Sequence, residues 1–98
     1  MKDIPEIPLV MQPDTMEAER AVGFKWADAS VGKRSKIGGK PDFLKNGHSQ
    51  VCESCGSEMV FYAQIDSVGD DVCLADVGMV YVFVCFNCFT SESFVQSG

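Results

Sequence analysis

Two pairs of closely spaced cysteines are the residues of this chain best suited to chemistry. Cys52 and Cys55 form one C-x-x-C motif, Cys85 and Cys88 form a second, and 29 residues separate the two motifs. A C-x-x-C turn directs two sulfurs the same way, and two such turns can close a tetrahedron of thiolates around one ion. The spacing therefore predicts a four-thiolate site for one Zn²⁺, with these four cysteines as its ligands.

The metal at such a site is expected to be structural. Four cysteine ligands leave no coordination position for water or substrate, whereas a catalytic zinc keeps one open. Binding at a four-thiolate site is worth about 10 to 16 kcal/mol at neutral pH, which matches or exceeds the whole stability of a small domain. Gly56 follows the first motif and suits the positive φ of such a turn, and we expect its N–H to donate to a ligand sulfur.

Other uses of the cysteines remain open at this point. The same ligand set can hold iron or an iron–sulfur cluster. A redox dithiol needs its motif at the start of a helix in a βαβ unit, and two disulfides need an exporting signal, neither of which the sequence shows. His48, the single histidine, lies four residues before Cys52 and is an alternative ligand or a loop residue. Cys73 is expected to be a small buried hydrophobic residue.

Apolar segments next to the motifs predict the strands that position them. Residues 58–66 alternate, with Met59, Phe61, Ala63 and Ile65 on one face of a strand. Residues 78–85 are apolar on both faces, which predicts a covered central strand or, alternatively, a dimer interface. Residues 90–96 are expected to return as a further antiparallel strand. Residues 69–71 predict a turn and 73–75 a short strand.

The N-terminal part predicts less regular structure. Three prolines within residues 1–13 indicate an extended tail without a regular element. Asp14 is a good N-cap for a short helix over 16–22, and Gly23 a good C-cap. Residues 24–39 predict irregular chain with one short strand. We therefore expect a single domain over 14–98 that is mainly β, a small antiparallel sheet with a zinc-ribbon-like four-Cys site and one short N-terminal helix.

Charge is unevenly distributed along the chain. Residues 20–45 hold seven basic and two acidic residues, while residues 46–98 hold seven acids and no Lys or Arg, within a net charge of −6. This balance argues against nucleic acid as the main partner and favours a basic protein partner. With one histidine and no phosphate-binding loop, we expect no enzymatic activity. No long apolar run predicts a membrane span or secretory signal, so we expect a cytoplasmic protein.

A glycine-lysine segment over 35–41 is the second informative motif. Gly38 and Gly39 precede Lys40 and Pro41, which predicts a structural turn that lets the chain cross the sheet. The alternative is a basic loop that binds a partner. The candidate partner-binding residues are Trp26, Lys36, Gly38, Gly39 and Lys40.

The linked order of these motifs resembles a known family. Trp26, then SKIGGKPDFL, VCESCGSEMVFYAQI and VYVFVCFNC, is similar to the N-terminal region of the programmed cell death protein 2 family and to related bacterial domains of unknown function. The resemblance covers roughly residues 24–90. It implies a zinc-stabilised β domain that binds a client protein, a small-subunit ribosomal protein, during ribosome assembly.

The sequence therefore leaves two hypotheses for the function. The first is a protein-interaction module, chaperone-like or an adapter, for a basic client such as a ribosomal protein. The alternative is a nucleic-acid-binding zinc ribbon that uses the basic segment 25–45, with Trp26, Phe24 and Phe43 as a stacking platform. The sequence leaves the oligomeric state open.

Overall fold

A computed structural model describes residues 3–45, 47 and 49–98 of the chain. In this part of the chain, five strands form one antiparallel sheet in the spatial order β1-β2-β3-β4-β5, and one short helix, α1, lies between β1 and β2 in sequence. The predicted fold class is confirmed. The elements are β1 (Ile7–Pro8), α1 (Met16–Ala21), β2 (Lys36–Ile37), β3 (Val60–Asp66), β4 (Met79–Cys85) and β5 (Thr90–Gln96).

The three long strands carry the core, and all three were predicted. β4 pairs with β3 on one side and with β5 on the other, so it is central, as its apolar composition predicts. Its Met79, Tyr81, Phe83 and Cys85 are buried. Its three valines on the opposite face are half-buried. The strand was predicted to be covered on both faces, but only the core face is fully covered.

A β-bulge changes which residues of β3 enter the core. The register shifts between Phe61 and Ala63, which leaves Tyr62 as an extra residue. Beyond the bulge, Gln64 lies opposite Tyr81 and Asp66 lies opposite Met79, so both polar side chains share the core face. The predicted alternation was wrong from this point, because one extra residue inverts the faces of a strand.

Asp66 fastens the preceding irregular chain to the sheet. Its carboxylate accepts hydrogen bonds from the backbone N–H groups of Gly32 at 2.8 Å and Arg34 at 2.9 Å. It also accepts from Nε and Nη2 of the Arg34 guanidinium, each at 2.8 Å. Burial alone would raise the pKa of Asp66, but the hydrogen bonds from Arg34 outweigh it and hold this pKa below its ordinary value. The carboxylate therefore stays ionised in the folded state.

Two buried glutamines fasten the loop over 41–45. Gln64 accepts from the backbone N–H of Asp42 at 3.0 Å and donates to the carbonyl of Arg34 at 2.7 Å. The Gln96 side-chain oxygen accepts from the N–H groups of Leu44 at 2.9 Å and of its neighbour Lys45 at 3.0 Å. These bonds hold the loop over the core face, where Phe43 packs on Tyr81 with ring centroids 5.0 Å apart.

The N-terminal segment is attached to the edge of the sheet. β1 pairs with β2, so the prediction that no regular element precedes residue 13 was wrong. The Gly39 N–H donates to the Ile4 carbonyl at 2.8 Å, and a Cβ at Gly38 would collide with the carbonyl of Pro5. Glycine at position 38 thus permits the close approach of the two chains.

Two further predictions need correction. The N-cap of the helix is Thr15, whose Oγ1 accepts from the Ala18 N–H at 3.0 Å, and not the predicted Asp14. Both residue types are good N-caps, so the sequence could not distinguish these two neighbours. Residues 73–75 form no strand. Ala75 and the two residues after it have positive φ, and this left-handed turn leaves Cys73 exposed rather than buried. The turn predicted at 69–71 is present.

The Arg34–Asp66 pair yields a stability prediction. Asp66→Asn removes the charge that compensates a largely buried guanidinium, and we expect a loss of about 3 kcal/mol of unfolding free energy. Asp71→Asn makes the same charge change at an exposed position and is the matched control. Guanidinium denaturation of metal-loaded protein measures both, and equal losses in the two variants would contradict the role given to Asp66.

Candidate metal centre

The four cysteines of the two C-x-x-C motifs come together at one end of the sheet. Their Sγ atoms all lie within 4.8 Å of one another, and those of Cys55 and Cys85 are 3.6 Å apart. Sulfurs at the corners of a zinc tetrahedron with bonds of about 2.3 Å lie about 3.8 Å apart. None of the four is in a disulfide. The cluster can therefore hold a metal ion such as zinc.

The first pair lies at the tip of a short hairpin. The Met59 N–H donates to the Gln50 carbonyl at 2.8 Å, and the Cys52 N–H donates to the Ser57 carbonyl at 2.9 Å. Gly56 has φ of 75°, as predicted, but its N–H donates to the Cys52 carbonyl at 2.8 Å and not to a sulfur. The glycine therefore shapes the turn, and other groups contact the sulfurs.

The second pair lies in the loop that joins β4 to β5, where Cys85 is directly opposite Thr90. The Phe89 N–H donates to the Cys85 carbonyl at 2.7 Å, which repeats the bond made by Gly56 in the first hairpin. Phe89 has φ of 56°, and its side chain is 79% exposed. A residue with a Cβ thus occupies a left-handed position that favours glycine.

Polar side chains join the two hairpin tips directly. The Asn87 side-chain amide donates to Ser57 Oγ at 2.9 Å. Thr90 Oγ1 lies 3.7 Å from Cys52 Sγ, within hydrogen-bond range for sulfur. Neither Ser57 nor Asn87 was predicted from the sequence, although Ser57 follows its motif by two residues and Asn87 lies inside the second motif.

Hydrogen bonds within the cluster shift the pKa values of its thiols in opposite directions. Hydrogen bonds from the Ser57 side chain and backbone, followed by those of neighbouring thiols, lower the pKa of Cys55 to about 6. Backbone N–H groups, Cys55 first, and the Thr90 hydroxyl also lower the pKa of Cys52. A hydrogen bond with the Cys55 side chain is the largest of the causes that raise the pKa of Cys88 to about 12. Four thiolates this close together need a cation to neutralise them.

The cluster is continuous with the hydrophobic core. Cys52 and Cys85 are 3% and 2% exposed, and both belong to the buried cluster that includes Met59, Phe61 and Phe83. Cys55 and Cys88 face solvent. An ion held by all four would link the core to the outer ends of both hairpins.

The candidate partner-binding residues do not form one surface. Trp26 is 74% exposed, and Lys40 is exposed. Lys36 is buried, and its ammonium pairs with Glu6 at 2.8 Å and with Asp42 at 3.1 Å. Gly38 is buried and Gly39 half-buried beneath the N-terminal segment, which favours the structural-turn interpretation.

His48, the alternative ligand, lies outside the described residues. No family model matches the chain, and the comparisons with curated proteins and with solved structures found no match either. In the part of the chain that the structure describes, no helix has the length and apolar character needed to cross a membrane.

The cluster predicts which cysteines control metal content. Cys52→Ser or Cys85→Ser removes a buried sulfur, and we expect bound zinc to fall from about one ion per chain to well below one. Cys73→Ser changes the exposed cysteine outside the cluster and should leave zinc content unchanged. Mass-spectrometric metal analysis of the purified variants measures this. Zinc loss in Cys73→Ser, or none in the other two, would contradict the assignment.

The two equivalent turn positions predict opposite mutational effects. A Cβ at Gly56 meets no atom within 4 Å, so Gly56→Ala adds backbone strain alone and should cost about 1 kcal/mol of unfolding free energy. Phe89→Gly removes the same kind of strain and should be neutral or stabilising, since the flexibility of glycine when unfolded offsets part of the gain. Thermal denaturation of the zinc-loaded variants tests the signs, and a destabilised Phe89→Gly would show that the Phe89 ring itself stabilises the fold.

Proposed function

We propose that this chain is a non-enzymatic protein-interaction module, stabilised by one structural Zn²⁺ at the four-cysteine cluster, that binds a basic protein client. All four positions of a tetrahedron are taken by thiols, which supports a structural ion over a catalytic one. The resemblance to the programmed cell death protein 2 family supports a client that is a ribosomal protein. A chaperone-like or adapter role in the cytoplasm is part of this proposal.

The observation that carries the choice of client is the distribution of uncompensated acids. Of the seven acidic residues in 46–98, Asp66 is the one that forms an ion pair among the described residues. The remaining acids lie in surface positions, and all but the half-buried Glu92 are exposed. Since 46–98 contains no Lys or Arg, this surface attracts a cationic partner and speeds its association.

A cleft beside the metal centre is the candidate binding site for the basic client. It lies between the first hairpin and β5, has a volume of about 180 Å³ and includes Glu53 and Glu92 in its walls. Two carboxylates at one small cleft suit the end of a Lys or Arg side chain. β5 is the last strand in the order of the sheet, and an edge strand can pair with an extended client segment alongside the cleft.

One observation favours the alternative of nucleic-acid binding. Trp26 is 74% exposed and follows the exposed Lys25, a combination suited to stacking on a base. The buried ion pairs of Arg34 and Lys36 withdraw two cations of the basic segment from such a role. The charge of the rest of the chain opposes it as well.

The proposed client chemistry predicts a charge-dependent interaction. A fluorescent Lys- and Arg-rich peptide should bind zinc-loaded protein, and binding should weaken as salt increases. Replacing Glu53 and Glu92 by Gln should weaken binding about tenfold, from two ion pairs at roughly 0.7 kcal/mol each. Fluorescence anisotropy titrations measure the affinities.

A matched control uses Glu17→Gln with Glu19→Gln, which makes the same charge change on α1, away from the cleft. Equal weakening by both double variants would mean that net charge alone governs binding. No binding of the peptide or of basic ribosomal proteins would refute the proposed client. Tighter binding of a single-stranded oligonucleotide, lost in Trp26→Ala, would establish the alternative.

A further inference from the structure

The face of the sheet opposite the core presents an unbroken set of uncharged side chains. Directly opposed residues of neighbouring strands point to the same side of a sheet, so the pairing register defines this face. It consists of three cross-strand rows, which together we call the valine face. The rows are Ile65, Val80 and Val95; Ile7, Ile37, Ala63, Val82 and Ser93; and Val60, Val84 and Ser91.

Large apolar side chains on this face are accessible to solvent. Ile7 is 50% exposed, Ile65 is 43% exposed and Val95 is 50% exposed, while the three valines of β4 between them are half-buried. The buried cluster, by contrast, includes Phe61, Tyr81 and other residues of the opposite face. The described loop residues that pack on that cluster, Phe43 and Leu44, therefore cover the core side of the sheet.

We propose that the valine face is the interface of a two-fold symmetric homodimer. A sheet with an apolar face is stable when a second layer covers it, and a second copy of the same sheet supplies a matching layer. When two copies pack face to face, the valines and isoleucines of one copy contact those of the other. No charged side chain of the face has to lose its hydration. The same patch on both copies satisfies the requirement of an isologous interface.

The area of the face is sufficient for a weak dimer. The three seven-residue strands are about 24 Å long and, at about 4.8 Å spacing, about 14 Å wide together, and the two-residue strands β1 and β2 extend the middle of the face. Such a face, with side chains standing on it, buries on the order of 1,000 Å² in total when two copies pack. This value is at the lower limit for specific protein interfaces, where weak and transient complexes are found, so we expect a weak dimer with a dissociation constant no tighter than micromolar.

A second copy fits this surface better than the basic client does. None of the eleven positions is acidic, so a cationic segment would lose hydration there without gaining an ion pair. Glu92 lies opposite Phe83 and so belongs to the core side of β5. The dimer therefore leaves the cleft of Glu53 and Glu92 accessible. The proposal of a dimer does not depend on the proposal of a basic client.

The test is sedimentation velocity of the zinc-loaded full chain from about 1 to 500 µM. The unmodified protein should pass from monomer to dimer in the micromolar range. Val95→Glu adds a charge to a half-exposed position of the face and should weaken dimerisation at least tenfold, since the carboxylate would lose its hydration in an apolar interface. Val82→Thr should also weaken it while keeping a β-branched side chain in the central strand.

Val10→Glu is the matched control, because Val10 is 86% exposed and lies outside the strands. Circular dichroism and zinc content must be unchanged in each variant used. A monomer at 500 µM would overturn the proposal. So would a dimer that Val95→Glu and Val82→Thr leave unaffected, or one that Val10→Glu weakens as strongly.

Discussion

Convergence of four cysteine sulfurs is the constraint on which the rest of the structure depends. The cluster joins a hairpin tip before β3 to the loop between β4 and β5, and two of its members are part of the hydrophobic core. Four thiols within 4.8 Å of one another cannot all ionise without a cation. Each thiolate that forms repels the next one, and this repulsion pushes the two hairpin ends apart. In our account a zinc ion removes this repulsion and fixes the relative position of the two hairpins. A domain of this size has few other means to do so.

A second constraint acts at the opposite end of β3. The bulge at Tyr62 moves Gln64 and Asp66 onto the core face, where they bind the backbone of the irregular chain over 32–45. This chain, together with Phe43, then forms the cover of the core. The consequence for function is direct, since the segment that resembles a basic binding loop uses Arg34 and Lys36 to hold the fold together.

The sequence predicted elements that depend on local pattern and missed those that depend on tertiary contacts. The strands β3, β4 and β5 and both cysteine turns follow from alternation and spacing. The bulge could not be predicted, because one extra residue is visible in the pairing register and not in the composition. Likewise, β1 exists because Gly38 lets the N-terminal segment approach, and Cys73 is exposed because three residues adopt a left-handed turn.

The candidate site divides in the same way. The four cysteines could be identified from their spacing, whereas Ser57 and Asn87 could not, because their bond joins residues 30 positions apart. For the partner surface, the sequence predicted a basic partner from the acids of 46–98 but placed the candidate binding residues in the basic segment. The valine face could not be predicted, because it combines residues of all five strands. The composition shows that the chain has many acidic residues, and the fold shows which of the described ones form no ion pair with Lys or Arg.

The central claim is that a zinc ion bound by the four cysteines organises the two hairpins, and two-dimensional amide NMR of one sample before and after chelation tests it most directly. The account predicts about one zinc per chain and dispersed signals at first, with collapse of the β3, β4 and β5 signals on zinc removal and their recovery on zinc readdition. A fully dispersed, unchanged spectrum of the metal-free protein would contradict it.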